Sequence, residues 1–123
     1  MKDIENRQDI ESLLTEFYNR LLKDPAICYI FTDVAKIDLA HHLPILADFW
    51  EQSLFNTGTY RNNTMQIHLG LNAQEKLTEQ HFKTWLKHFH TTTDHYFSGL
   101  NAERIKARAQ SIATVIKIKL STV

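Results

Sequence analysis

Histidine is the residue type with the widest scope for chemistry in this chain, which contains seven of them. His81, His88 and His95 follow one another at intervals of seven residues, which is two turns along one face of a helix. A zinc site needs ligands one turn apart or converging from several elements, and no such spacing occurs. We therefore predict that these three histidines, together with His90, lie on a solvated or half-buried helix face.

Two other histidines have apolar neighbours. His42 lies four residues before Leu46 and on the same helix face, and His68 stands between Ile67 and Leu69. A neutral imidazole can bind a metal ion through one nitrogen while the other nitrogen donates a hydrogen bond. A histidine in such surroundings is more often a hydrogen-bonded core residue, and periodicity leaves both interpretations open.

Tyr18 and Trp85 raise the same question. Each lies on an apolar stripe, yet each carries a donor group that needs a partner when the side chain is buried. They are either core aromatics bonded to the backbone or parts of a shared ligand pocket.

The composition limits the fold class. Three glycines and two prolines in 123 residues are too few for the turns of an all-β protein, because average usage of these two types is roughly 12%. We predict an all-α fold in a single domain, residues 1–123, with residues 1–8 as a loose N-terminal extension. Cys28 is the only cysteine in the sequence, which excludes a disulfide framework and a cysteine-based zinc site.

Charge and hydropathy limit the partners. The 14 basic and 14 acidic residues balance, which argues against a nucleic-acid partner. The sequence has neither an apolar run long enough to cross a membrane nor a recognisable signal peptide. We expect a cytoplasmic protein with no membrane partner.

The apolar positions predict four substantial helices and a short one. The first helix follows intervals of three and four residues from Ile10 to Leu22, and it should end near Asp24 because Pro25 disfavours helix in the residue before it.

The second helix should begin near residues 40–43, because Pro44 is tolerated best in a first turn, and should stop before Gly58. Thr78 is a good N-cap for the third helix, Gly99 should end that helix, and Asn101 should cap the last one.

The order of these residues resembles the truncated haemoglobins, specifically the third group of these short bacterial two-over-two globins. The resemblance extends from about residue 10 to residue 120, and the glycine-pair motifs of the first two groups are absent. It rests on an ordered set of residues: Phe17-Tyr18, Phe31, His42-Leu43-Pro44, Phe49-Trp50, Gly58-Thr59-Tyr60, His68-Leu69 and Trp85-Leu86.

The resemblance implies a two-over-two helical sandwich that encloses haem b (iron protoporphyrin IX). It implies that His68 is the proximal iron ligand and that the distal pocket contains Tyr18, His42, Leu46 and Trp85. The residues that it places against the haem are Phe31, Leu46, Phe49 and Trp50. Arg61 is a candidate propionate partner by charge and position only.

The function implied is binding of dioxygen and other diatomic ligands at a five-coordinate iron, by a monomer. One alternative is a nitric oxide dioxygenase or peroxidase-like enzyme. It would need a separate reductase, because the sequence shows no flavin or nicotinamide site. The other alternative is a haem-free helical interaction module in which His68 is merely buried.

Overall fold

The described part of the chain forms four helices that pack around one core. The computed structural model describes residues 1–30, 39–55 and 77–121, with side chains except at residues 39 and 119–121. The helices are α1 (Arg7–Leu22), α2 (Leu39–Phe55), α3 (Glu79–Tyr96) and α4 (Leu100–Ser121). Helix α1 packs on α2 and α3, while α4 packs on α3 and α2. The predicted all-α, globin-like class is confirmed, and the described ranges contain no strand.

The core lies where α1 meets the other helices. The apolar stripe of α1 is buried as its periodicity predicts, and the helix ends at Leu22, two residues before Asp24. Burial of one large apolar side chain contributes roughly 1.5–3 kcal/mol, so this stripe is a major source of stability. The buried core residues on the other helices are Ala47, Trp50, Phe89, Ala102, Ile105, Ala109, Ala113 and Ile116. Within the described ranges, no helix combines the length and apolarity that crossing a bilayer requires.

Pro44 lies deeper in its helix than the sequence suggested. Helix α2 begins at Leu39, so the proline falls in the second turn rather than the first. Proline has no N–H group to donate to the preceding turn. The Pro44 carbonyl accepts a hydrogen bond from the Arg7 guanidinium at 3.2 Å, and the same guanidinium pairs with Asp48 and Glu51. These contacts from α1 hold the proline-containing part of α2 in place.

Helix α3 begins as predicted and continues through its threonines. Thr78 is the N-cap, and its hydroxyl accepts the N–H of His81. The hydroxyls of Thr92 and Thr93 donate to carbonyls one turn earlier, which satisfies them inside the helix. Tyr96, the last residue of the helix, is 40% exposed although it is aromatic.

The cap of α4 comes from the opposite end of the chain, and this corrects two expectations. Asn101 lies inside the first turn, where its N–H and that of Ala102 donate to the Asp3 carboxylate at 2.9 and 2.8 Å. Ile4 is fully buried, and the Asn101 side chain donates to its carbonyl. A helix start needs acceptors for its free N–H groups, and Asp3 supplies them to α4. Residues 1–8 are therefore held against the helices and are not the loose extension that the sequence suggested.

The Asp3 side chain lies so close to the residue before α4 that this position, Gly99, requires glycine. Gly99 has a φ of +144°, a conformation that L side chains rarely adopt, and a Cβ atom there would lie 2.5 Å from Cγ of Asp3. Only glycine gives both the backbone angle and the space.

We expect Asp3→Ala to lower the free energy of unfolding by about 1–2 kcal/mol, the usual cost of losing a helix cap. Partial burial acts to raise the pKa of the Asp3 carboxyl, but N–H bonds from Asn101, Ala102 and Ile4 lower it overall. A lowered pKa makes the cap fully stabilising above the ordinary value of about 4. Its contribution is lost as the pH falls through the pKa of the folded state.

Urea unfolding at neutral and acidic pH measures this effect, with Asp94→Ala as the matched control. Asp94 is an exposed aspartate that pairs with Lys106 on the protein surface, where an ion pair contributes roughly 0–1 kcal/mol. Equal losses in the two variants at neutral pH would contradict the capping role of Asp3.

Candidate functional site

The candidate site centres on a tyrosine and a histidine from two different helices. The Tyr18 side chain extends from α1 and is only 4% exposed. Its hydroxyl lies 3.5 Å from Nε2 of His42, which belongs to the first turn of α2. The two rings meet edge to face with centroids 5.8 Å apart. A separation of 3.5 Å is long for an O–H···N hydrogen bond.

Burial sets the protonation states of this pair. Desolvation raises the pKa of the Tyr18 phenol above its ordinary value, so Tyr18 remains a neutral donor. Desolvation, assisted by the neighbouring His41, lowers the pKa of His42. The position of His42 in the first turn acts in the same direction, because the positive end of a helix disfavours an imidazolium. His42 is therefore neutral at pH 7.

Trp85 joins this pair through an aromatic contact. Phe17 meets Tyr18 edge to face at 5.3 Å and Trp85 edge to face at 5.5 Å. The Trp85 ring also stacks on Phe89 at 5.4 Å with an interplanar angle of 17°. The indole of Trp85 is half-buried, as expected of a side chain at the edge of a pocket.

Helix α2 supplies the apolar part of the site. Leu46 and Phe49 are half-buried and pack against the core, so each keeps part of its apolar surface exposed. Trp50 is only 3% exposed and lies against Phe89 at 5.2 Å. Trp50 therefore packs mainly within the core, and its predicted contact with haem remains a prediction, as does that of Phe49.

Three predicted site residues lie outside the described part of the chain. These are His68, expected to be the iron ligand, Phe31, expected to pack on the porphyrin, and Arg61, the candidate propionate partner. Their assignments remain predictions.

The histidines of α3 have specific partners. His81 Nε2 lies 2.8 Å from the Tyr29 hydroxyl, and His88 Nε2 lies 2.7 Å from an oxygen of Asp24. No group of three or more potential metal ligands occurs in residues 1–30, 39–55 and 77–121. Sequence reasoning missed Tyr29 and Asp24, because 52 and 64 residues separate them from their partners and no local pattern signals such pairs.

The structure as a whole is similar to that of a globin. A search of solved structures finds a group III truncated haemoglobin from Campylobacter jejuni with a TM-score of 0.85 and 26% sequence identity. The match covers 98% of this chain and 95% of that one. This chain has the fold of a group III truncated haemoglobin. The predicted resemblance is therefore confirmed.

No family model and no curated protein sequence matches the chain, so the relationship is visible chiefly in the fold. The truncated-haemoglobin fold supports a globin-type haem protein. In this fold Tyr18, His42 and Trp85 come from three different helices, and the structure brings Tyr18 and His42 into direct contact.

Proposed function

We propose that this protein is a haem protein that binds dioxygen and other small diatomic ligands in a polar pocket formed by Tyr18, His42 and Trp85. The observation that carries the proposal is the contact between the buried Tyr18 hydroxyl and the neutral His42 imidazole, within a truncated-haemoglobin fold.

The described residues fit a haem group in their chemistry. Leu46 and Phe49 offer partly exposed apolar surface, which suits the face of a porphyrin. When bound, haem b supplies an iron with one coordination position open to a diatomic ligand. His68 is the residue that we propose as the protein ligand of that iron, with Phe31 and Trp50 as further contacts and Arg61 beside a propionate.

Tyr18 is the main hydrogen-bond donor in this proposal. Its raised pKa keeps the phenolic hydrogen in place, so the hydroxyl beside His42 is a neutral donor. A hydrogen bond to a ligand that carries negative charge contributes roughly 1.5–3 kcal/mol. Trp85 is a second donor through its indole N–H, and two such bonds would slow the release of dioxygen.

Slow release suits redox chemistry with nitric oxide or peroxide better than it suits transport. An enzyme of this kind would need electrons from a separate reductase, as the sequence already implied. Steady consumption of nitric oxide or peroxide in the presence of a reductase would establish turnover, whereas binding without consumption would establish a ligand-binding role.

Dioxygen dissociation from the reduced protein tests the proposal. We expect reversible binding, with dissociation slow enough that Tyr18→Phe and Trp85→Phe each accelerate it. A parent protein that never forms a reversible dioxygen complex after reduction would contradict the proposed function.

His42 should act as a gate rather than as a charged donor. Because its pKa is lowered, the imidazole is neutral at and above pH 7, where it stands beside the Tyr18 hydroxyl at the edge of the pocket. We expect His42→Leu to change the rate of carbon monoxide association while leaving the C–O stretching frequency close to that of the parent. The association rate of the parent should be flat from about pH 7 to pH 8, where the imidazole stays neutral.

The matched control is His95→Leu, a substitution at an exposed histidine of α3 that should leave the association rate unchanged. A C–O frequency shift in His42→Leu as large as that in Tyr18→Phe would show that His42 donates directly to the ligand.

A further inference from the structure

Two hydrogen-bonded pairs join α3 to the segment that follows α1. His81 contacts Tyr29, and His88 contacts Asp24, at 2.8 and 2.7 Å. The two histidines are two helical turns apart, or roughly 10 Å along α3. Trp85 lies between them, four residues after the first and three before the second, and so on the same helix face. We call these four residues, Asp24, Tyr29, His81 and His88, the histidine clasp.

The helix cap fixes the orientation of the first imidazole. Nδ1 of His81 accepts the N–H of Thr78 at 3.0 Å, and the Thr78 hydroxyl accepts the N–H of His81. A neutral imidazole that accepts at Nδ1 carries its hydrogen on Nε2. Nε2 of His81 therefore donates to the oxygen of Tyr29. The capping box holds this ring from one side and the tyrosine holds it from the other.

The second pair is anchored to the end of α1. One oxygen of Asp24 accepts the N–H of Ala26, and the other accepts from Nε2 of His88. The backbone N–H of Asp24 donates to Leu21 in α1, and its carbonyl accepts from Cys28. The bond from His88 is the first of the causes that lower the pKa of the Asp24 carboxyl. His88 is thus tied to the same helix that carries Tyr18.

Trp85 needs such support because its own packing is incomplete. Its contacts with Phe17 and Phe89 hold the ring plane, but the indole is only half-buried. The placement of the ring relative to Tyr18 therefore also depends on a restraint that holds α3 against α1 and the segment after it. The two clasp bonds supply that restraint, one turn to either side of Trp85.

We propose that Asp24, Tyr29, His81 and His88 are positioning residues that fix Trp85 relative to Tyr18. Insofar as Trp85 donates to a ligand, the inference rests on the proposed function. The four residues themselves act through the position of α3 and touch no ligand.

The test uses the two indole N–H resonances of the full chain, as purified and saturated with carbon monoxide in the reduced state. Trp50→Phe assigns the signals. The clasp is opened by Tyr29→Phe combined with His88→Leu, and each single variant is also measured. The matched control is His90→Leu, because His90 is a half-buried histidine of α3 that bonds to the Lys106 carbonyl in α4 instead.

We expect the open clasp to shift and broaden the Trp85 indole signal while the Trp50 signal stays in place. His88→Gln keeps a side-chain donor, so its spectrum should be much closer to that of the parent than the spectrum of His88→Leu is. His90→Leu should leave the Trp85 signal unchanged. Tyr29→Phe alone, which keeps the ring and loses one hydroxyl, should give a smaller shift of the same kind in a chain that remains folded. Dioxygen dissociation should change by about threefold or more in the open clasp, and this change should disappear in a Trp85→Phe background.

Equal movement of the two indole signals in every clasp variant would overturn the inference, because it would indicate a general loosening of the core. The haem content of the same samples tests the proposed function separately. If Trp85→Phe left dioxygen dissociation unchanged, Trp85 would not be a donor to the ligand. The indole signals would still test whether the clasp positions Trp85.

Discussion

Replacing His68 by glycine should abolish stable haem attachment and leave a folded chain with little visible absorption. The expectation rests on the order of residues that resembles the truncated haemoglobins, a resemblance that implies His68 as the iron ligand. Loss of an outer partner of a metal ligand already costs roughly 10–100-fold in metal affinity, so loss of the ligand itself should weaken haem binding by more than about tenfold. Free imidazole, diffusing into the space left by the side chain, should restore part of the binding.

The measurement is a haem titration followed by absorption, with and without added imidazole. His95→Ala is the control, because His95 is an exposed histidine of α3 whose ring meets that of the neighbouring Tyr96 edge to face. An unchanged haem content and an unchanged reduced spectrum in both variants would remove His68 from the site.

Tyr18→Phe should accelerate dioxygen dissociation by about tenfold or more. This substitution removes the hydroxyl that faces His42 and keeps the ring that packs on Phe17. A donor bond of about 1.4 kcal/mol corresponds to one decade in the equilibrium constant, and most of such a change falls in the dissociation rate. Trp85→Phe should act in the same direction, since it removes the other donor.

Stopped-flow displacement of dioxygen by carbon monoxide measures both variants. Tyr96→Phe is the matched control, because it removes a tyrosine hydroxyl that donates to Glu16 on the surface, and it should leave the dissociation rate unchanged. If Tyr18→Phe and Trp85→Phe both stayed within about a factor of two of the parent, the two residues would be core aromatics instead.

Local patterns predicted the helices well because helix periodicity and capping depend on residues that are close together in the sequence. The stripe of α1 and the Thr78 cap of α3 depend on side chains within one or two turns, and both are found where the sequence places them. The meeting of Tyr18 and His42 could be expected only through the resemblance, because 24 residues separate them and no spacing rule joins them.

The long-range polar contacts could not be predicted. The carboxylate of Asp3 replaces the expected cap at Asn101 from 98 residues away, and its chemistry is the same as that of any surface aspartate. The pairs Asp24–His88 and Tyr29–His81 are likewise products of helix packing. A seven-residue histidine spacing predicts one helix face, but it does not indicate which element covers that face.

Titration of the purified chain with haem tests the central claim most directly. We expect an intense absorption band in the usual haem region that saturates at an equimolar ratio, and a reduced spectrum that changes reversibly with dioxygen and with carbon monoxide. A chain that stays folded and colourless throughout the titration would contradict the claim and would support a haem-free helical module.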